Sequence, residues 1–170
     1  QEGRKKKFEE DVETWKAEVE RIDKGCVNGE AIWAAPDFND AAWKSMKVPG
    51  LMQEQDLPGF SGLVWFRKTI DIPAGWAGKD LILNLGVIDD NDFTYFNGIQ
   101  IGHTEGWMAP RSYKIPKELV KKGKAVIAVR VMDTGGTGGI NGSPESISLH
   151  LSDTEAIQLA GNWKYQVSLD

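Results

Sequence analysis

Two histidines, a single cysteine and 25 carboxylates are the groups in this 170-residue chain with acid–base, nucleophilic or metal-binding chemistry. A serine triad needs its nucleophile on a strained turn and a histidine held by a carboxylate. The sequence has no Gly-x-Ser-x-Gly, no Gly-Asp-Ser and no Asp-x-x-His. His103 and His150 fall on or beside predicted strands, and no motif joins either of them to Ser112 or Ser148. Zinc wants Cys, His and carboxylate at close spacing, which one Cys and two distant His do not offer. Asp89-Asp90-Asn91-Asp92 supplies hard oxygens without the spacing of a calcium loop, and reads as a hydrogen-bonded turn with one buried Asp. Gly135-Gly136-Thr137-Gly138-Gly139 lacks the Gly-Lys-[Ser/Thr] that opens a helix after a phosphate loop, so it reads as a sheet-edge loop. No catalytic residue, no metal ligand and no cofactor is assigned.

The remaining functional chemistry is aromatic. Seven Trp are many for this length, and an indole serves either as sandwich core or as a flat platform beneath a sugar ring. Most are expected in the core. Trp107 and Phe60 lie in loops containing Gly and Pro, so these two are the aromatics expected at the surface, where loop packing and ligand stacking are the alternatives.

The elements that must position them are strands. Asp92-Phe93-Thr94-Tyr95-Phe96-Asn97-Gly98-Ile99-Gln100-Ile101-Gly102 joins two β-branched and aromatic runs through Asn-Gly, the pair that best accommodates the positive φ angles of a type I′ turn. Further strands are expected near residues 63–72, 80–85, 111–115, 125–133 and 146–152, with Leu81, Leu83 and Leu85 on one buried face. Pro116-Lys117-Glu118-Leu119-Val120 reads as a helical turn. At the N-terminus, Phe8, Val12, Trp15, Val19 and Ile22 recur at helical spacing, so residues 8–24 are expected to form an amphipathic helix stopped by Gly25. The expected fold is an all-β antiparallel sandwich of the jelly-roll, galactose-binding-like type with one N-terminal helix. It divides into a helix over residues 1–29, the sandwich over 30–160 and a closing strand over 161–170.

A formal charge of -5 disfavours a nucleic-acid duplex or an anionic membrane as the main partner, and leaves neutral or weakly charged ligands open. Cys26 alone excludes an intramolecular disulfide. No run of about 18 apolar residues exists, and the basic cluster Arg4-Lys5-Lys6-Lys7 has no apolar segment of signal-peptide type behind it. A start at Gln1 suggests a processed or excised chain.

Read in order, Phe38-Asn39-Asp40 with Trp43, Val48-Pro49-Gly50, Gly62-Leu63-Val64-Trp65-Phe66-Arg67-Lys68, Leu85-Gly86-Val87-Ile88-Asp89-Asp90 and Tyr95-Phe96-Asn97-Gly98 resemble the non-catalytic domain of sialate O-acetylesterases. Arg111-Ser112-Tyr113, Ile127-Ala128-Val129-Arg130-Val131, Gly138-Gly139-Ile140 and Leu159-Ala160-Gly161-Asn162-Trp163-Lys164-Tyr165 continue the likeness. A more distant similarity is to the sugar-binding jelly roll of β-galactosidases and β-glucuronidases. The esterase resemblance implies an insert that supports an SGNH-type catalytic domain in the same parent chain, with a sialoglycan as carbohydrate partner and a periplasmic or secreted setting. An autonomous carbohydrate-binding module is the alternative, as is the N-terminal sugar-binding domain of a β-galactosidase- or β-glucuronidase-like glycosidase. The glycosidase arrangement further implies that loops 49–62 and 134–143 reach toward a catalytic site, where Gln53, Asp56 and Asn141 would orient a sugar hydroxyl. Together with Phe60 and Trp107 these are the expected substrate-binding residues.

Overall fold

The computed structural model describes residues 22–169 except 56, 61 and 137. The expected helix over residues 8–24 therefore lies outside the described residues, but for its last three. The described residues form β1 (Cys26–Val27), β2 (Glu30–Ala31), β3 (Lys44–Val48), β4 (Gly62–Ile72), β5 (Leu81–Asp89), β6 (Asn91–Phe96) and β7 (Ile99–Glu105). They continue with β8 (Pro110–Ile115), β9 (Gly123–Asp133), β10 (Gly139–Asn141), β11 (Ile147–His150), β12 (Ala156–Gln158) and β13 (Gly161–Leu169), with short 3-10 turns between strands.

Two antiparallel sheets face each other. One runs β3-β13-β4-β9-β6-β7; in the other β5 is flanked by β8 on one side and by β10 and β11 on the other, with β12 beyond β11. The chain passes back and forth between them, from β4 to β5 to β6 and from β7 to β8 to β9, which is the jelly-roll route.

Period-two alternation explains the layering. Val64, Phe66, Ile70 and Ile72 of β4 point into the sandwich against Leu81, Leu83 and Leu85 of β5, and all are buried. Fully burying such a side chain contributes roughly 1.5–3 kcal/mol. The opposite face of β4 does not meet solvent either. Trp65 joins Phe93, Tyr95 and Ala128 in a second apolar cluster, roofed by Ala34, Trp43, Trp33 and Phe38 from the N-terminal segment.

That outer face carries two buried arginines, each paired with a carboxylate of the segment that covers it. Arg67 donates from Nε to Asp40 at 2.9 Å and from Nη1 to the carbonyls of Trp33 and Ala35 at 2.5 and 3.0 Å. Arg130 donates to Asp23 at 3.0 Å and lies 4.4 Å from the Phe93 ring centre. His103 stacks on the far side of Phe93 at 4.1 Å, so His103, Phe93, Arg130 and Trp65 form one row across four strands. In consequence β9 is buried on both faces from Ala125 to Val131.

Two of the three Asn-Gly pairs make hairpin turns. Asn97 and Gly98, at φ 48° and 85°, join β6 to β7 as expected. Asn28 and Gly29, at φ 52° and 80°, close β1 onto β2 in a hairpin that the helical reading of the preceding residues had obscured. The Lys44–Val48 strand, also unexpected, sits at a sheet edge, where exposed Lys44 and Lys47 discourage pairing with another chain.

Candidate functional site

One end of the sandwich collects the loops named above. The starts of β4 and β6 meet there with the ends of β5, β7 and β9, and with the starts of β8 and β10. The connections at this rim are residues 49–61, 89–91, 106–109 and 134–138.

Trp107 and Met108 stand out from this rim at 60% and 68% exposure, the largest values among the apolar side chains described as exposed. Their loop is short and held from beneath by Arg111. The Arg111 Nη1 donates to the carbonyls of Gly106 and Ala109, both at 2.6 Å, which grips the loop at its two ends. Nη2 donates to the carbonyls of Asp90 and Thr104 at 3.1 Å, and Nε to the Asp92 carboxylate at 2.7 Å. A guanidinium has five N–H donors, and here all five are used. Asp92 and Arg111 are both fully buried, and Asp92 also accepts from Thr94 at 2.7 Å and from the Tyr113 hydroxyl at 2.8 Å. Burial, and then the Asp92 charge, push the Tyr113 hydroxyl well above its ordinary range, so it remains a donor.

Hydrogen bonds continue from this plug around the rim. The Asp90 carboxylate accepts from the amide and hydroxyl of Thr134 at 2.8 and 2.7 Å. Burial opposes its ionisation, but the bonds from Asp89 and Thr134 outweigh it and hold the Asp90 carboxyl below 3.8. Next door, burial pushes the Asp133 carboxyl above that value, against the bonds from Gly135 and Gln53. Gln53 latches two loops together: its Nε2 donates to Asp133 at 2.7 Å and to the Phe60 carbonyl at 3.0 Å, while its Oε1 accepts from the Gly138 amide at 2.9 Å.

The expected binding residues thus separate by role. Trp107 is free to stack on a ligand. Phe60, expected to be exposed, is half-buried and packs against the main core. Gln53 has both donors committed to the latch. Asn141 lies in β10 opposite Val87 instead of in an open loop. Asp56 lies outside the described residues. The inner glycines are packing devices, since a Cβ on Gly138 would stand 2.4 Å from the Asp133 carboxylate. Arg111 and Asp92 were not foreseen as parts of the site. The signal was present in Arg111-Ser112-Tyr113, a buried-capable cation and phenol on one short strand opposite an acidic turn.

Away from the rim, Ser148 and His150 are two apart on β11 and in contact, Oγ to Nε2 at 2.6 Å. Ser148 is buried, and among the described residues no carboxylate bonds to His150, so the pair lacks both access and an orienting acid. A groove of about 820 Å³ between residues 26–38 and the β6–β7 turn holds none of the expected binding residues.

No protein-family profile matches the chain. Among solved structures it is similar to Bacteroides uniformis β-glucuronidase 2, over 78% of this chain and 15% of that enzyme, at 21% identity and a TM-score of 0.56. A β-glucuronidase of glycoside hydrolase family 2 matches over 61% of this chain and 12% of its own, at 22% identity and a TM-score of 0.54. Ruminococcus gnavus β-glucuronidase matches over 52% and 16%, at 25% identity and a TM-score of 0.48. The chain therefore spans between 12% and 16% of the length of these enzymes, and what it shares with the first two is the sandwich fold.

Proposed function

We propose that this chain is a non-catalytic sugar-binding sandwich of a glycosidase-like, carbohydrate-active enzyme, and that its rim holds part of the carbohydrate against a catalytic domain. The observation that carries this reading is Trp107, an exposed indole on a loop pinned at both ends by a buried guanidinium. A platform fixed in advance loses little freedom when a ring stacks on it, which favours binding. The fold likeness to family 2 β-glucuronidases agrees with a glycosidase parent in preference to an esterase. The chemistry belongs to the catalytic domain; Ser148 and His150 do not supply it.

The test is a titration of the full chain with a panel of monosaccharides and disaccharides, followed by calorimetry and tryptophan fluorescence, alongside Trp107→Ala. Binding that disappears in the variant, at unchanged thermal stability, supports the reading. Binding unaffected by the variant, or absent for every sugar, refutes it.

A second reading, an insert in an SGNH-type esterase, draws support from one feature besides the motif resemblance. The segment entering the sandwich and the last strand leaving it are bonded together, Lys24 N–H to Ser168 Oγ at 2.8 Å, as a domain looped out of another requires. Aryl acetate hydrolysis by a parent enzyme carrying this domain, absent from the chain alone, would favour it over the glycosidase.

A further inference from the structure

We infer that the rim selects a neutral pyranose and turns away sugars that carry a carboxylate; the inference rests on the reading of the rim as a carbohydrate site. Its physical basis is the one-sided charge of the loops at this end of the sandwich. Residues 49–61, 89–91, 105–110 and 134–146 contain no Lys and no Arg. Among the described residues, Glu54, Asp89, Asp90, Glu105, Asp133 and Glu145 lie in or directly beside them.

Arg111 does not offset that charge for a ligand. Its guanidinium is buried, is paired with Asp92 and has every N–H committed to the fold. Lys24 stands on the other side of the molecule's outer face, beside β13, three strands away from β6. At roughly 4.8 Å per strand that places it beyond the first contact shell of a sugar on Trp107. Among the described residues, a uronate or sialate carboxylate at the rim would meet carboxylates with only the His103 imidazole beside Glu105 to offset them, and like charges in proximity are unfavourable.

A neutral ring fits the same groups. Its C–H face stacks on the indole, and its hydroxyls donate to carboxylate oxygens in charge-assisted bonds. Asp90, ionised through its bonds to Thr134, is such an acceptor. If the parent acts on an acidic glycan, the rim reads a neutral unit next to the charged one.

The experiment titrates the full chain with glucose, galactose and N-acetylglucosamine, and in parallel with glucuronate and N-acetylneuraminate, at low and at raised salt. Neutral sugars are expected to bind at least about tenfold more tightly at low salt, with the gap narrowing as salt screens the rim. Glu105→Lys, at an exposed position, is expected to narrow it as well. Trp107→Ala is expected to abolish the neutral-sugar signal. Glucuronate or N-acetylneuraminate binding as tightly as the neutral sugars, with Trp107 still required, overturns the charge argument and leaves the rim as a sugar site. Absence of any Trp107-dependent binding overturns the sugar site itself.

Discussion

Replacing Arg111 by Met removes a charge while nearly preserving volume, and its effect follows from the geometry. Five hydrogen bonds are lost together. The Gly106 and Ala109 carbonyls sit in an exposed or half-exposed loop and recover water, so their contribution is small. Asp92 cannot do so. It is fully buried, and after the substitution it retains only neutral donors, Thr94 and Tyr113. Breaking a buried ion pair by removing one partner costs about 3–5 kcal/mol. For a chain of this size each kcal/mol lowers Tm by roughly 2–4 °C, so the expected fall is about 6–20 °C. Adding Asp92→Asn removes the stranded charge and is expected to restore part of the loss, with a coupling of about 1–3 kcal/mol in the double-mutant cycle. Urea denaturation monitored by fluorescence measures all four proteins. A single-variant loss below about 1 kcal/mol, or strictly additive effects, would refute the account of the plug.

Trp107→Ala is expected to leave urea stability within about 0.5 kcal/mol of the parent, because the indole is exposed, and a larger loss would mean that it is structural. Gly98→Ala places a side chain at φ 85° and is expected to destabilise by about 1–2 kcal/mol, measured by thermal unfolding. Asp90 favours the folded state when ionised, so its stabilisation is complete above 3.8 and is lost as pH falls below that value; Asp133, shifted upward, acts in the opposite sense. Profiles of Tm against pH for the parent and Asp90→Asn should therefore converge on the acid side, and a gap that widens there would contradict the assignment.

The strand pattern was legible because alternation and Asn-Gly turns are local signals. Leu81, Leu83 and Leu85 declare a buried face wherever the partner sheet lies, and Asn97-Gly98 fixes its hairpin without outside help. The site was legible only in part. Trp107 announced itself through the Gly and Pro around it, whereas Phe60 in similar company is half-buried by the core against which it packs. Asp92 and Arg111 are 19 residues apart, and only the pairing of β6 with β7 and the crossing to β8 bring them together. Lys44–Val48 was missed for a similar reason, since its short polar run becomes a strand by pairing with β13.

The covering of both faces of β9 bears on how the chain survives its own synthesis. Ala125-Val126-Ile127-Ala128-Val129-Arg130-Val131 combines high β-propensity with one charge, the composition of a segment that stacks into fibrils when left uncovered. Residues 26–43, which roof its outer face, are translated long before it, as is β5, which shields its inner side. Both coats are already synthesised when β9 leaves the ribosome, so this aggregation-prone stretch can be covered as soon as it emerges.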